Sequence, residues 1–273
     1  MRDVTLGLLD YVRKADEVFV ELYTSLVPDL DLRALEELAG RRVEVVTRRE
    51  VEGAWLYSML ERARERLIVL LSPGDPFVAT THAVIKLEAA KRGVDVVYLP
   101  SPSVVSAVCG VLGLDVYKFC RPVTIVRPRP GYFSLTPYWV LLSNLRRGLH
   151  TLFLLELDAD EGYAMRAEEA VELMREMEGR VGAGIIDERT LFVAVACATS
   201  PRERVRVLKV GSSTELGPPP HVLVVPGLLN PVEAECLQVV AGASREDVEA
   251  WVGRVRSLVL AEREGEGGCA SPS

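Results

Sequence analysis

The sequence predicts an α/β fold in two domains, on three observations: apolar strand-length runs alternate with amphipathic helical stretches, glycines close the helices, and a proline-dense stretch interrupts the pattern. Val18 to Glu21, Arg42 to Val46, Leu67 to Leu71 and Val94 to Leu99 read as strands bounded by charge or turn residues. Between them, Leu32 to Ala39, Trp55 to Arg64 and Thr80 to Arg92 carry apolar residues at helical spacing, and Leu6 to Lys14 reads as a helix ahead of the first strand. Gly40 and Gly93 sit where a left-handed helix cap belongs. Such alternation predicts βαβ units, right-handed crossovers and a largely parallel sheet. Pro122, Pro128 and Pro130 then stiffen the chain and exclude helix, which places a boundary between domains 1–120 and 121–273. Beyond it, Tyr138 to Arg147, Met165 to Glu178 and Glu246 to Glu262 read as helices. Thr151 to Leu157, Thr190 to Ala198, Val205 to Val210 and Val222 to Val225 read as strands, and GEGGCASPS at the end reads as a frayed tail.

Composition narrows the function classes. The 273 residues are 49% apolar and 26% charged, the balance of a soluble globular protein with room for a sizeable core. A net charge of −7 argues against a surface built to bind nucleic acid. The longest apolar runs are strand-length and no basic-then-apolar leader opens the chain, so neither a membrane span nor a signal peptide is expected, and the location is read as cytoplasmic. Five scattered cysteines without a C-x-x-C pair fit reduced thiols, and no histidine pair has metal-ligand spacing, so no metal is expected. One Gln and two Asn beside abundant Glu and Arg suggest a thermophilic source or a biased genome.

Two strand-to-helix joints carry the candidate site. In LIVLLSPGDPFVATTHA (67–83) a buried strand ends at Leu71, a Pro/Gly turn follows, and a helix is expected from about Ala79 or Thr80. Ligands of open α/β sheets bind outside the carboxyl ends of strands, which puts Gly74, Asp75 and Val78 in a site-forming position. Asp75 is open to two readings, a ligand contact or a local cap. As a loop residue it is expected to matter more to the ligand than to folding. In VVYLPSPSVVSAVCGVLG (96–113) Ser103 reads as an N-cap of the helix Val104 to Leu112, whose start offers free amides to a ligand. His82 is read as touching substrate or bonding the loop, and His150 as structural. His221, behind Pro218, Pro219 and Pro220, is read as a ligand contact or a structural residue. The chain lacks the P-loop, nucleophile-elbow and dinucleotide-binding motifs.

The stretches VFVELYTS (18–25), GDPFVATTH (74–82), YKF (117–119), RGLHTLFLL (147–155), PPHVLVVPG (219–227) and EAE (233–235) together resemble the diphthine synthase family, within the tetrapyrrole methylase-like class of S-adenosylmethionine methyltransferases. The resemblance implies two α/β domains with the cofactor in the cleft between them, a homodimer, and elongation factor 2 of an archaeal cell as protein substrate. It implies cofactor contacts at Asp75, Val78, Ser103 and Val104, completed by Leu154, Ala196 and His221. ACATS (196–200) departs from the A-R-A-G-S-like run of the family. Family members also open with a short apolar strand and a glycine turn. This chain opens at Met1–Arg2–Asp3 without them, pointing to a start assigned too far downstream or a beginning left out. The implied chemistry is methylation of a substrate amine, and no general base is named. A tetrapyrrole methyltransferase of the same class, or a non-catalytic binding protein, is the alternative.

Overall fold

The computed structural model describes residues 4–28, 30–211 and 215–267. It divides into two compact units, Met1–Val104 with Leu157–Gly162, and Val105–Glu156 with Tyr163–Ser273.

The first unit is built on a parallel three-stranded sheet in the order β2-β1-β3, from β1 (Glu17–Glu21), β2 (Glu44–Val46) and β3 (Ile68–Leu71). Phe19 pairs with Glu44 on one side and Leu70 on the other. Side chains alternate across a strand, so β1 and β3 feed two cores. Phe19, Ile68 and Leu70 pack with Leu56 and Met59 of α4 (Ala54–Arg62) and Ala89 of α5 (Ala83–Lys91). Val18, Val20, Val69 and Leu71 pack with Val12 of α1 (Leu6–Lys14) and Leu35 and Ala39 of α2 (Leu32–Ala39). Local chemistry fixes the helix ends. Thr5 caps α1 by accepting from the Leu8 amide, Asp31 caps α2 by accepting from Arg33 and Ala34, and Gly40 closes α2 at φ 66°. Thr47 and Glu50 form a reciprocal capping box on the single turn α3 (Arg48–Val51).

Two expectations fail here. Val94 to Leu99 forms no strand. Arg64 donates to the Arg92 carbonyl near one end of β3, and Ser101 donates to Asp75 beyond the other end. The segment is thus tied to both flanks of β3, yet no ladder joins them, and Val97 is 60% exposed. A strand needs a neighbour's backbone about 4.8 Å away, which sequence pattern alone does not guarantee. Nor does a helix begin at residue 79 or 80. Residues 72–82 are turns and bends, and α5 starts at Ala83 with His82 at its N-cap position.

The second unit carries a five-stranded sheet in the order β4-β5-β10-β8-β9: β4 (Val123–Ile125), β5 (Thr151–Leu155), β8 (Phe192–Ala196), β9 (Arg204–Leu208) and β10 (His221–Val225). Only β4 and β5 pair in parallel; the other pairs are antiparallel, so the expected parallel sheet describes the first unit alone. β8 and β10 are buried at every residue, consistent with their unbroken apolar runs. α7 (Thr136–Arg146), α8 (Ala167–Val181), α9 (Pro231–Val240) and α10 (Arg245–Gly267) complete the unit, and two short strands, β6 (Leu157–Asp158) and β7 (Tyr163–Ala164), lie between β5 and α8 in sequence. The frayed tail expected over 265–273 is helical as far as Gly267; the rest lies outside the described residues. Among the described residues no helix is long and apolar enough to cross a membrane.

The stretch from α6 (Val104–Leu112) to Phe119 packs almost entirely with the second unit, ahead of the prolines that suggested a boundary. Leu112 is buried, and a Cβ on Gly113 would meet Cys236 Sγ at 2.6 Å. The Asp115 amide donates to Glu233 Oε1 at 3.0 Å, Lys118 pairs with Glu233, and the Phe119 ring lies 5.1 Å from that of His150. Proline marks local stiffness, whereas these non-local contacts set which unit a segment joins.

Candidate active site

In the first unit the two joints do converge. A Cβ on Gly74, which stands at φ 73°, would lie 3.4 Å from the Pro102 carbonyl oxygen, so glycine permits that approach. Asp75 ties them together. Its Oδ1 accepts from the Phe77 amide at 2.9 Å, and its Oδ2 accepts from the Tyr98 hydroxyl at 2.5 Å and the Ser101 amide at 3.2 Å. Burial alone would raise its pKa, but these donors, Tyr98 foremost, hold it below the usual carboxylate range. Within the chain Asp75 is therefore a cap that fixes one joint to the other. Ser103 and Val104 follow at the start of α6, and Val78 is 38% exposed at the turn. These four residues share one loop cluster.

A buried network beneath this cluster escaped the sequence reading. Glu21, the last residue of β1, has no exposed surface. It accepts from the amides of Tyr23 and Thr24 at 3.0 and 3.1 Å, from the Thr24 hydroxyl at 2.5 Å, and from the Ser72 hydroxyl. His82 Nδ1 lies 3.0 Å from the Pro76 carbonyl, which can only accept, so Nδ1 carries the proton. Nε2 then accepts from the Tyr23 hydroxyl at 3.0 Å. Burial, aided by Glu21, raises the Tyr23 pKa and keeps the phenol protonated. Of the two readings of His82, the structure favours the loop bond. The available signal was a glutamate closing the apolar run VFVE, since a charge rarely enters a core without dedicated partners.

In the second unit Leu154, Ala196 and His221 fall on three adjacent strands, with Ala196 opposite His221 and Leu154 opposite Val222. The Cys197 amide donates to the Pro220 carbonyl at 2.8 Å, which ties the end of β8 to the start of β10. His221 Nδ1 accepts from the Ala167 amide at 3.1 Å. Burial lowers its pKa, so the ring is neutral and carries its proton on Nε2. The Pro218 and Gly217 carbonyls face the ring and favour that proton. His150 differs: it is fully buried, accepts from the Gly227 amide at 2.7 Å and donates to Glu233 at 3.1 Å, a structural role.

Backbone strain marks both clusters. The non-glycine residues at positive φ among those described are Ala79 at 59°, Cys197 at 49° and Thr199 at 64°. Each adjoins or closely follows a candidate contact, Val78 or Ala196. Such backbone costs about 1–3 kcal/mol and persists where the surroundings enforce it, as at ligand sites. No group of three or more His, Cys, Asp and Glu residues among those described is placed to hold a metal ion.

Residues 1–213 match the sequence model of the Tetrapyrrole (Corrin/Porphyrin) Methylases. The chain is 38% identical over 240 residues to the diphthine synthase of Methanocaldococcus jannaschii, covering 86% of this chain and 93% of that one. The chain belongs to the diphthine synthase family of tetrapyrrole methylases. A diphthine synthase of Methanococcus maripaludis is 36% identical over 239 residues, covering 87% of this chain and 93% of that one. A diphthine synthase crystal structure superposes with a TM-score of 0.80 at 34% identity, over 91% of this chain and 94% of that one. The family, the α/β fold and the methyltransferase class read from the motifs all hold for this chain, which is an enzyme.

Proposed function

We propose that the chain uses S-adenosylmethionine to methylate the amino group of the amino-carboxypropyl side chain on a histidine of elongation factor 2, forming diphthine in diphthamide biosynthesis. The observation that carries this reading is the match to diphthine synthases along nearly their whole length. Asp75, Val78, Ser103 and Val104 of the first unit, with Leu154, Ala196 and His221 of the second, are the proposed cofactor contacts. The reading includes a cytoplasmic homodimer.

S-adenosylmethionine would supply a methyl group activated on its sulfonium: the substrate amine would bond to the methyl carbon as the carbon–sulfur bond breaks, and S-adenosylhomocysteine would leave. The chain's part is to hold the reactants in line and keep water away. Asp75 does this by locking the two joints together, and the Glu21, Tyr23 and His82 network does it by fixing the loop from below. Tyr23, held protonated by burial, is no general base; the amine proton leaves to solvent. The test is methyl transfer from labelled S-adenosylmethionine, offered unmethylated elongation factor 2 in one reaction and a siroheme precursor in another. Label in the protein supports the reading, label in the ring assigns the tetrapyrrole reaction, and label in neither refutes both.

A further inference from the structure

The outer edge of β3 in the first unit faces strand chemistry without a strand. β1 is paired on both sides, and its Val18, Phe19 and Val20 are buried. Ile68, Val69 and Leu70 of β3 are only partly covered, and among the described residues nothing pairs with their outer edge. The segment Val94 to Leu99 runs alongside in the same direction. Arg64, ahead of β3, donates to the Arg92 carbonyl before the segment, and Asp75, beyond β3, accepts from the Ser101 amide after it. Side chains make both of these ties, and among the described residues no backbone hydrogen bond joins β3 to 94–99. Val96, Val97 and Tyr98 are 39%, 60% and 40% exposed. Two apolar, unpaired backbones side by side leave the place of one strand, which would stand about 4.8 Å from each.

Handedness indicates what belongs there. α1 and α2 pack on one face of the sheet, with Val12, Leu35 and Ala39 in a single core, and α2 connects β1 to β2. Right-handed crossovers over one face all step across the sheet in the same direction. α1 leads into β1, so a strand ahead of α1 stands on the side of β1 away from β2. β3 fills the position next to β1 on that side, so the strand falls beyond β3. Over the opposite face, where α4 and α5 share a core, the same rule carries the chain from β3 through α5 outward to 94–99. Of the places beyond β3, the gap before 94–99 has an unpaired backbone on both sides. Only Ala15 and Asp16 separate α1 from β1, so the two run in opposite directions and α1 opens at the carboxyl edge of the sheet. A strand parallel to β3 ends at that same edge. We propose that the gap seats one further parallel strand, an extended apolar segment of the protein's own chain ahead of α1. It pairs with β3 on one edge and with 94–99 on the other, and turns the exposed run of 94–99 into a strand.

The experiment compares the full chain with the same chain carrying the probe VIVLVGG, a strand and a turn, ahead of Met1. The readouts are amide hydrogen exchange over 68–71 and 94–99, and the melting temperature. Without the probe, 94–99 is expected to exchange freely; with it, both segments should slow by about tenfold or more and the melting temperature should rise by about 5 °C. Val96→Pro and Val97→Pro, each made in the extended chain, identify strand pairing. Adjacent amides of a strand point to opposite edges, so one of the two prolines should remove half or more of the gain and the other should leave it. Melting curves of the same variants without the probe show that each is folded. No gain from the probe, or equal effects of the two prolines, overturns the proposal. Protection of 94–99 that rises with protein concentration and not with the probe gives the edge to a second copy of the chain, and overturns it as well.

Discussion

Glu233→Gln tests how the segment 105–120 is fastened to the second unit. Glu233 is buried and gathers the amides of Asp115 and Asn230, the Lys118 ammonium and the His150 ring. Burial alone would raise its pKa, but these partners lower it from 4.5 to about 2. A carboxylate depressed by that much contributes about 3 kcal/mol of stability, at 1.36 kcal/mol per pKa unit. The sign follows from proton counting. Below pH 4.5 the unfolded chain takes up the proton and the folded chain does not, so the contribution is complete above that value and is lost as pH falls through 2. Between pH 7 and pH 3 the wild-type chain should lose about 2 kcal/mol through this group alone. His150 acts in the same direction at higher pH, because burial lowers its pKa from 6.5 and the unfolded chain protonates first. The assay is guanidinium unfolding followed by the fluorescence of buried Trp251, with both proteins measured at pH 7 and pH 3. Glu233→Gln should be weaker by about 3 kcal/mol at pH 7 and should lose less on acidification. Parallel pH profiles in the two proteins would refute the reasoning.

Asp75→Ala leaves the Tyr98 hydroxyl and the Phe77 and Ser101 amides without their acceptor, so it should lower the melting temperature as well as weaken S-adenosylhomocysteine binding. The cost is about 1–3 kcal/mol on each readout, and an unchanged melting temperature beside weakened binding would make Asp75 a ligand contact alone. His82→Leu removes the bond to the Pro76 carbonyl and should destabilise the first unit by about 1–3 kcal/mol. His82→Asn, which keeps a donor near the Nδ1 position, should recover part of that loss in thermal melts; equal losses would mean that the bond to Pro76 does not matter.

What the sequence disclosed and what it withheld divide along physical lines. Periodicity and caps are local, and they placed α2 at its observed limits and Gly40 at its left-handed end. The rule for open sheets placed the 72–78 turn beyond the end of β3, but the second joint follows a segment that pairs with no strand, and only the fold shows Asp75 bridging to Ser101. Strand pairing is not local. Val94 to Leu99 has strand chemistry without a paired neighbour, and β8, β9 and β10 are antiparallel although their runs resemble parallel strands. The contacts that join His82 to Tyr23 and Glu21 to Ser72 were hidden for the same reason, since these partners lie 59 and 51 residues apart in sequence. The triproline drew attention to His221, but only the fold showed its ring buried, with Nδ1 accepting from the Ala167 amide.

The central claim is that this chain methylates the modified histidine of elongation factor 2. The most direct measurement is mass spectrometry of the histidine-bearing peptide, from unmethylated archaeal elongation factor 2 incubated with the chain and S-adenosylmethionine. The account predicts a mass gain of one or more methyl groups, located by fragmentation to the amino nitrogen of that side chain and absent when either the chain or the cofactor is omitted. An unmodified peptide from a folded, cofactor-binding chain would contradict it.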